Sequence, residues 1–144
     1  MAERTAMAED RVWSAAALRE LAAQADAAAC DSCATLRSTG WESVPVSLDR
    51  ARLQAVGTLY DPAAGSPLES TLEEYHPQRT RYWSADAPIA TGWFPYNRCG
   101  VWRCRACATV VLRYAEHGGY FEEERIRRVV PALVDSAAPP PGKT

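Results

Sequence analysis

Four of the five cysteines in this 144-residue chain form two Cys-x-x-Cys pairs, the first at positions 30 and 33 and the second at 104 and 107. Each pair places two thiolates on one tight turn, and two such turns supply the four soft ligands that a structural Zn²⁺ takes. In a reducing compartment such pairs are metal ligands more often than disulfides. The sequence therefore predicts a tetrahedral zinc site with Cys30, Cys33, Cys104 and Cys107 as its ligands.

The fifth cysteine, Cys99, lies five positions before Cys104. With Cys104 and Cys107 it gives the opening spacing of plant-type ferredoxins, which need a further cysteine downstream, and none follows Cys107. We predict that Cys99 is a buried small apolar residue, although its replacement of one of the four ligands stays open. Iron in a rubredoxin-like site is the alternative to zinc.

The segments around the two pairs predict an α+β fold with an N-terminal helix and a small antiparallel sheet. Residues 10–29 are rich in alanine, with apolar residues at i, i+4 spacing, and predict a helix that leads into Cys30. The β-branched run 109–114, the Gly-Gly turn and residues 120–129 predict a hairpin, with a helix over 120–129 as the alternative. Residues 47–56 predict a further short helix.

The length of the chain fits one zinc-stapled domain, which we place at residues 1–134. Within it, residues 1–9 are predicted to be frayed. Residues 61–78 contain several prolines and a glycine and predict a long irregular segment. Residues 135–144, which include three consecutive prolines, are predicted to be a disordered tail.

The arrangement resembles the zinc ribbons, in which one Cys-x-x-Cys turn is followed by an excursion and a second turn leads into a β-hairpin. The resemblance covers residues 30–33 and about 99–128 and implies metal binding, but no particular activity. Ala34 and Ala108 stand where many such turns have glycine. The chain is also similar to a group of small bacterial proteins of no established activity that share a Tyr-Asn-Arg-Cys…Trp-Arg-Cys-x-x-Cys stretch.

Aromatic residues are concentrated between positions 75 and 102, where arginines accompany them. Large rings are needed to pack a small core, but tryptophan, tyrosine and arginine also dominate the energetically important positions of protein interfaces. We therefore predict a protein-interaction surface, the partner being a toxin that the protein neutralises, as an immunity protein does, or a regulated protein. Its candidate residues are Trp83, Trp93, Phe94, Tyr96, Arg98 and Arg103.

The net charge of −2 disfavours a protein that coats nucleic acid, but the charge is unevenly distributed. Residues 1–97 are acidic, whereas residues 98–128 carry seven arginines against four glutamates. A nucleic-acid-binding zinc ribbon is therefore the alternative function. It would use Arg103, Arg105, Arg113, Arg125, Arg127 and Arg128.

An enzymatic function is the less favoured second alternative, which would be metal-dependent. The His-x-Glu element of zinc deaminases is missing, because Pro77 and Gln78 follow His76. Phosphate-binding loops and nucleophile elbows are also missing. No apolar run is long enough to cross a bilayer, and charged residues precede Cys30 where an export signal would be apolar. The sequence predicts a cytoplasmic protein. Its many arginines and alanines suggest a bacterial source. The sequence does not predict the oligomeric state.

Overall fold

The computed structural model describes residues 11–60, 71–118 and 121–139. One α-helix, α1 (Ala15–Ala22), precedes seven strands in this part of the chain. The strands are β1 (Glu42–Ser43), β2 (Leu53–Thr58), β3 (Ile89–Ala90), β4 (Gly100–Cys104), β5 (Val110–Gly118), β6 (Phe121–Arg128) and β7 (Val134–Asp135). The α+β prediction is confirmed.

Five strands form one antiparallel sheet in the order β1-β6-β5-β4-β2, and β3 pairs with β7 in a small parallel sheet. The predicted hairpin is β5–β6, which pairs from Val111 with Arg128 to Gly118 with Phe121. The predicted second strand of the hairpin, and not the helix alternative, is therefore observed over Phe121–Arg128. β4 runs into the second cysteine pair and β5 leaves it, so this pair forms the turn between two central strands.

Apolar side chains cover both faces of the sheet, because successive strand residues point to opposite sides. On one face, Leu112 of β5 belongs to a buried cluster that includes Leu18 of α1. On the other face, its neighbour Val111 belongs to a second cluster with Ile126 and the cysteine turns. The metal-ligating candidates therefore sit at one end of the second cluster.

The helix predicted over residues 10–29 is shorter in the structure and covers only Ala15–Ala22. Before it, Trp13 donates its backbone N–H to Thr58, so the chain is held against β2, and the Ser14 side chain caps the helix by accepting from Ala17. After it, Asp26 donates its backbone N–H to the carbonyl of Cys107 at 2.9 Å. These contacts with distant residues override the helix propensity of alanine.

The helix predicted over residues 47–56 is also wrong. A 3-10 turn at Arg50–Arg52, capped by the Asp49 side chain, leads into β2, which pairs with β4. Gly57, just after the predicted helix, is part of that strand and lies at a register shift in the pairing. Its φ is +150°, and a Cβ there would lie 2.3 Å from the carbonyl oxygen of Arg11, so only glycine fits.

We predicted a disordered tail over residues 135–144. Within its described part, residues 135–139, Asp135 and Ala137 contact the rest of the domain, whereas residues 140–144 lie outside the described residues. Asp135 pairs with Ala90 in the small parallel sheet, and the Trp93 indole donates to the carbonyl of Ala137 at 3.2 Å. The predicted frayed residues 1–9 and the first part of the irregular segment 61–78 lie outside the described residues. No helix of the described ranges approaches the roughly 20 apolar residues of a membrane span.

Candidate metal centre

Two similar turns, which we call the first knuckle (Cys30–Cys33) and the second knuckle (Cys104–Cys107), form the site. In the first, Ala34 donates its backbone N–H to the carbonyl of Cys30 at 2.8 Å. In the second, Ala108 does the same to Cys104 at 2.9 Å. Each knuckle is therefore closed by a hydrogen bond of its own backbone.

The structure brings the Sγ atoms of all four paired cysteines within 4.8 Å of one another. The Sγ atoms of Cys30 and Cys104 are 3.8 Å apart, far longer than a disulfide bond. A tetrahedral ion with metal–sulfur bonds of about 2.3 Å separates its sulfurs by about 3.8 Å. The donor set is sulfur only, so the cluster could hold a soft metal ion such as Zn²⁺.

The fifth cysteine is separate from this cluster. Cys99 is completely buried and its thiol donates to the carbonyl of Pro95 at 3.3 Å. Burial also raises the pKa of the Cys99 thiol well above its ordinary value, which keeps it protonated. Among the described residues, the group that could hold a metal consists of the four knuckle cysteines alone.

The charged side chain of Arg52 contacts the sulfur of Cys30. Its Nη1 lies 3.6 Å from the Sγ of Cys30 and 2.7 Å from a carboxylate oxygen of Asp31. Its backbone carbonyl accepts from Arg105 in the second knuckle. Because four thiolates and one Zn²⁺ carry a net charge of −2, a guanidinium at this place opposes the excess negative charge.

The environments of the thiols differ. The backbone N–H of Cys33 lowers the pKa of Cys30. Burial and hydrogen bonds toward the neighbouring sulfurs raise the pKa of Cys33 well above its ordinary range. Burial alone would raise the pKa of Cys107. Hydrogen bonds from the backbone of Cys30 and from Thr109 outweigh this effect and lower the pKa of Cys107 to about 6. A bound metal would therefore displace the proton of Cys33, since only thiolates ligate.

Ala108, which ends the second knuckle, adopts the left-handed conformation with φ of 64°. Ala34, the equivalent residue after Cys33, lies in a 3-10 turn instead. The two knuckles thus differ in the backbone conformation of the residue where many zinc ribbons have glycine. An L-residue pays about 1–2 kcal/mol in the left-handed region, whereas glycine does not.

We expect Ala108→Gly to stabilise the metal-loaded protein by about 0.5–1 kcal/mol, because the relief of strain exceeds the greater unfolded-state entropy of glycine. Ala34→Gly is the matched control and should destabilise it by about 0.5–1 kcal/mol. Urea unfolding of the three proteins measures both changes. A shift in the same direction for both variants would contradict the conformational argument.

We expect Arg52→Gln to weaken zinc binding by about 10-fold, because the side chain that contacts Cys30 loses its charge. Arg50→Gln is the control, since Arg50 pairs with Glu124 rather than with the sulfurs. Competition with a chromophoric chelator gives both affinities. Equal affinities for the two variants would mean that Arg52 does not tune the site.

The residues predicted for an interaction surface are not equivalent in the structure. Trp83 is 53% exposed, whereas Tyr96 is buried and belongs to the core. Trp93 and Phe94 are half-buried and pack on Tyr75 and Tyr114. The remaining two are arginines: Arg98 lies over the Phe94 ring, and Arg103 donates to Gln24.

Two arginines contact the first knuckle, and the sequence did not predict that either of them would do so. Arg52 contacts Cys30, and Arg128 of β6 donates to the carbonyls of Cys33 and Leu36 at 3.1 and 2.8 Å. The contacts of Arg128 span more than 90 positions, and no local spacing signals them. The contact arises because the fold places β6 next to the first knuckle.

No protein-family model matches the chain, and no curated protein or solved structure matches it. The similarity to small bacterial proteins therefore has no support from these comparisons. The zinc-ribbon resemblance is supported only by the clustering of the four cysteines.

Proposed function

We propose that this protein is a zinc-stapled protein-interaction module. The observation that carries the proposal is the cluster of four sulfurs within 4.8 Å, contributed by two knuckles far apart in the chain. Four thiolates complete a tetrahedral zinc ion and leave no coordination position for water or substrate. Such a site is structural, so the metal would act by holding the two knuckles together.

The surface best suited to a partner is formed by Trp83 and Arg125. Trp83 packs edge-on against Tyr82 with ring centroids 4.7 Å apart, and Arg125 lies 5.0 Å from the Trp83 ring centroid. Tyr82 in turn stacks on the buried Trp41. A half-exposed tryptophan on a rigid aromatic support, with an arginine beside it, has the character of an interface hot spot.

The nucleic-acid alternative has less support, because five of its six arginines contact other parts of the fold. Arg127, which is completely buried, is the clearest example, since it cannot reach a phosphate while the protein is folded. The others are Arg103 with Gln24, Arg113 with Glu124, Arg125 with Glu123, and Arg128 with the first knuckle. Arg105 is exposed.

We further propose that the protein works in the bacterial cytoplasm, as an immunity protein against a toxin or as a regulatory partner. Support comes from the clustering of the two Cys-x-x-Cys pairs, which in a reducing compartment are metal ligands more often than disulfides. The closed sulfur cluster also favours binding over catalysis.

Metal content and the zinc absorption-edge spectrum of protein purified without added metal test the first half of the proposal. One zinc per chain with four sulfur neighbours would support it. An oxygen or nitrogen neighbour would indicate an open site and contradict a purely structural role.

The protein-interaction part of the proposal is tested by capturing a partner with the tagged protein and then purifying that partner. A one-to-one complex that Trp83→Ala weakens by at least about 10-fold, with little dependence on salt, would support the interaction surface. Leu72→Ala is the control, because Leu72 is also exposed but lies outside the Trp83–Arg125 pair. Steeply salt-dependent binding to a DNA duplex or single strand would instead favour the nucleic-acid alternative.

A further inference from the structure

The four sulfurs of the candidate metal centre differ in their access to solvent. Cys33, Cys104 and Cys107 are 0%, 2% and 3% exposed, whereas Cys30 is half-buried. A small oxidant in the solvent therefore reaches the Cys30 sulfur first. Oxidation of thiolates is selective for the accessible one.

Cys30 lies close to a sulfur of the other knuckle. Its Sγ lies 3.8 Å from that of Cys104, and the two residues are 74 positions apart in the chain. A disulfide bond of about 2.05 Å between them needs an approach of less than 2 Å.

From these two observations we infer that Cys30 and Cys104 form a redox-sensitive pair, which hydrogen peroxide converts into a disulfide between the knuckles. The inference rests on the proposed zinc site and adds a modification to it. Oxidation would release the metal and replace it with a covalent link between the same two segments.

The chemistry is balanced with the peroxide as the oxidant. The Cys30 thiolate attacks one peroxide oxygen, an S–O bond forms, the O–O bond breaks and hydroxide leaves. The Cys104 thiolate then attacks the Cys30 sulfur, the S–S bond forms, and the S–O bond breaks to give a second hydroxide. The two cysteines lose two electrons and the peroxide gains them. The metal keeps only Cys33 and Cys107 and dissociates.

The pairing determines what happens to the fold. A disulfide between Cys30 and Cys104 keeps the two knuckles joined, and its long loop restricts the unfolded chain strongly. Disulfides within each knuckle would instead remove every link between them that the sulfurs provide. Hydrogen bonds would then connect these segments: that from Asp26 to Cys107, those from Arg128 to the first knuckle, and those that Arg52 makes with both knuckles.

The test uses the zinc-loaded 144-residue protein treated with excess hydrogen peroxide. A chromophoric zinc indicator follows metal release, and alkylation with peptide mass spectrometry maps the disulfide. We expect release of the zinc together with a Cys30–Cys104 cross-link. After oxidation, the thermal midpoint in chelator should exceed that of the reduced, metal-free protein by on the order of 10 °C.

Cys99→Ser is the background for this experiment, because it removes a buried thiol that lies outside the cluster. Cys30→Ser in that background should abolish the cross-link, and if this variant does not fold, the disulfide map of the parent protein decides alone. Cross-links within each knuckle, or zinc retained under peroxide, would overturn the inference. If no zinc binds at the start, the proposed function fails; the metal-free protein is then oxidised, and the inference stands only on a Cys30–Cys104 cross-link.

Discussion

Cys104→Ser is expected to lose zinc and most of the stability of the fold. Cys104 ends β4 and begins the second knuckle, and its Sγ accepts from the backbone N–H of Ala106 in addition to its place in the cluster. Serine is a poor ligand for zinc, so we expect the affinity to fall by more than about 100-fold. Because metal binding is folding free energy in a small domain, the thermal midpoint should fall with it.

Cys33→Ser should behave in the same way, since Cys33 is completely buried among the same sulfurs. Cys99→Ser is the control, because it keeps all four proposed ligands and a serine hydroxyl can still donate to the carbonyl of Pro95. Zinc stoichiometry and thermal unfolding measure the three variants. Equal losses in all three would show that Cys99 is a ligand and that the assignment is wrong.

The cysteine cluster and the hairpin were predictable from the sequence because local patterns encode them. A Cys-x-x-Cys turn carries its own geometry, and the run at 109–114 has the β-branched composition of a strand. The extent of the first helix was not predictable, because the ends of α1 are decided by contacts with Thr58 and Cys107. Helix propensity contains no information about such distant partners.

The aromatic segment shows the same limit for the candidate interaction surface. Its composition indicates that some rings are exposed, but it does not distinguish Trp83 from Tyr96. The structure distinguishes them through Arg127, whose burial draws the Tyr96 hydroxyl into the core. Composition alone assigns such an arginine to a solvated face, because arginine is almost never fully buried unless it is paired.

Arg127→Met is expected to destabilise the folded protein by about 3 kcal/mol, although it removes a charge from the core. The guanidinium donates to the carbonyls of Thr39 and Ala87 at 2.8 and 2.6 Å and to the hydroxyl of Tyr96. Methionine fills much of the volume but leaves the carbonyls of half-buried Thr39 and buried Ala87 without that donor. Each unsatisfied group costs about 1–3 kcal/mol. This cost outweighs the free energy gained by removing the charge from the core.

The sign of the change in the free energy of unfolding tests whether the buried Arg127 stabilises or destabilises the core. Arg105→Met is the matched control, because Arg105 is exposed and should change stability by less than about 0.5 kcal/mol. Urea unfolding of zinc-loaded proteins should show a midpoint lower by about 1–2 M for Arg127→Met and nearly unchanged for Arg105→Met. A neutral or stabilising effect at Arg127 would mean that desolvation of the charge dominates. The three hydrogen bonds of Arg127 would then only offset the desolvation cost of its charge. Apolar packing would in that case hold β6 against the segments at Thr39 and Ala87.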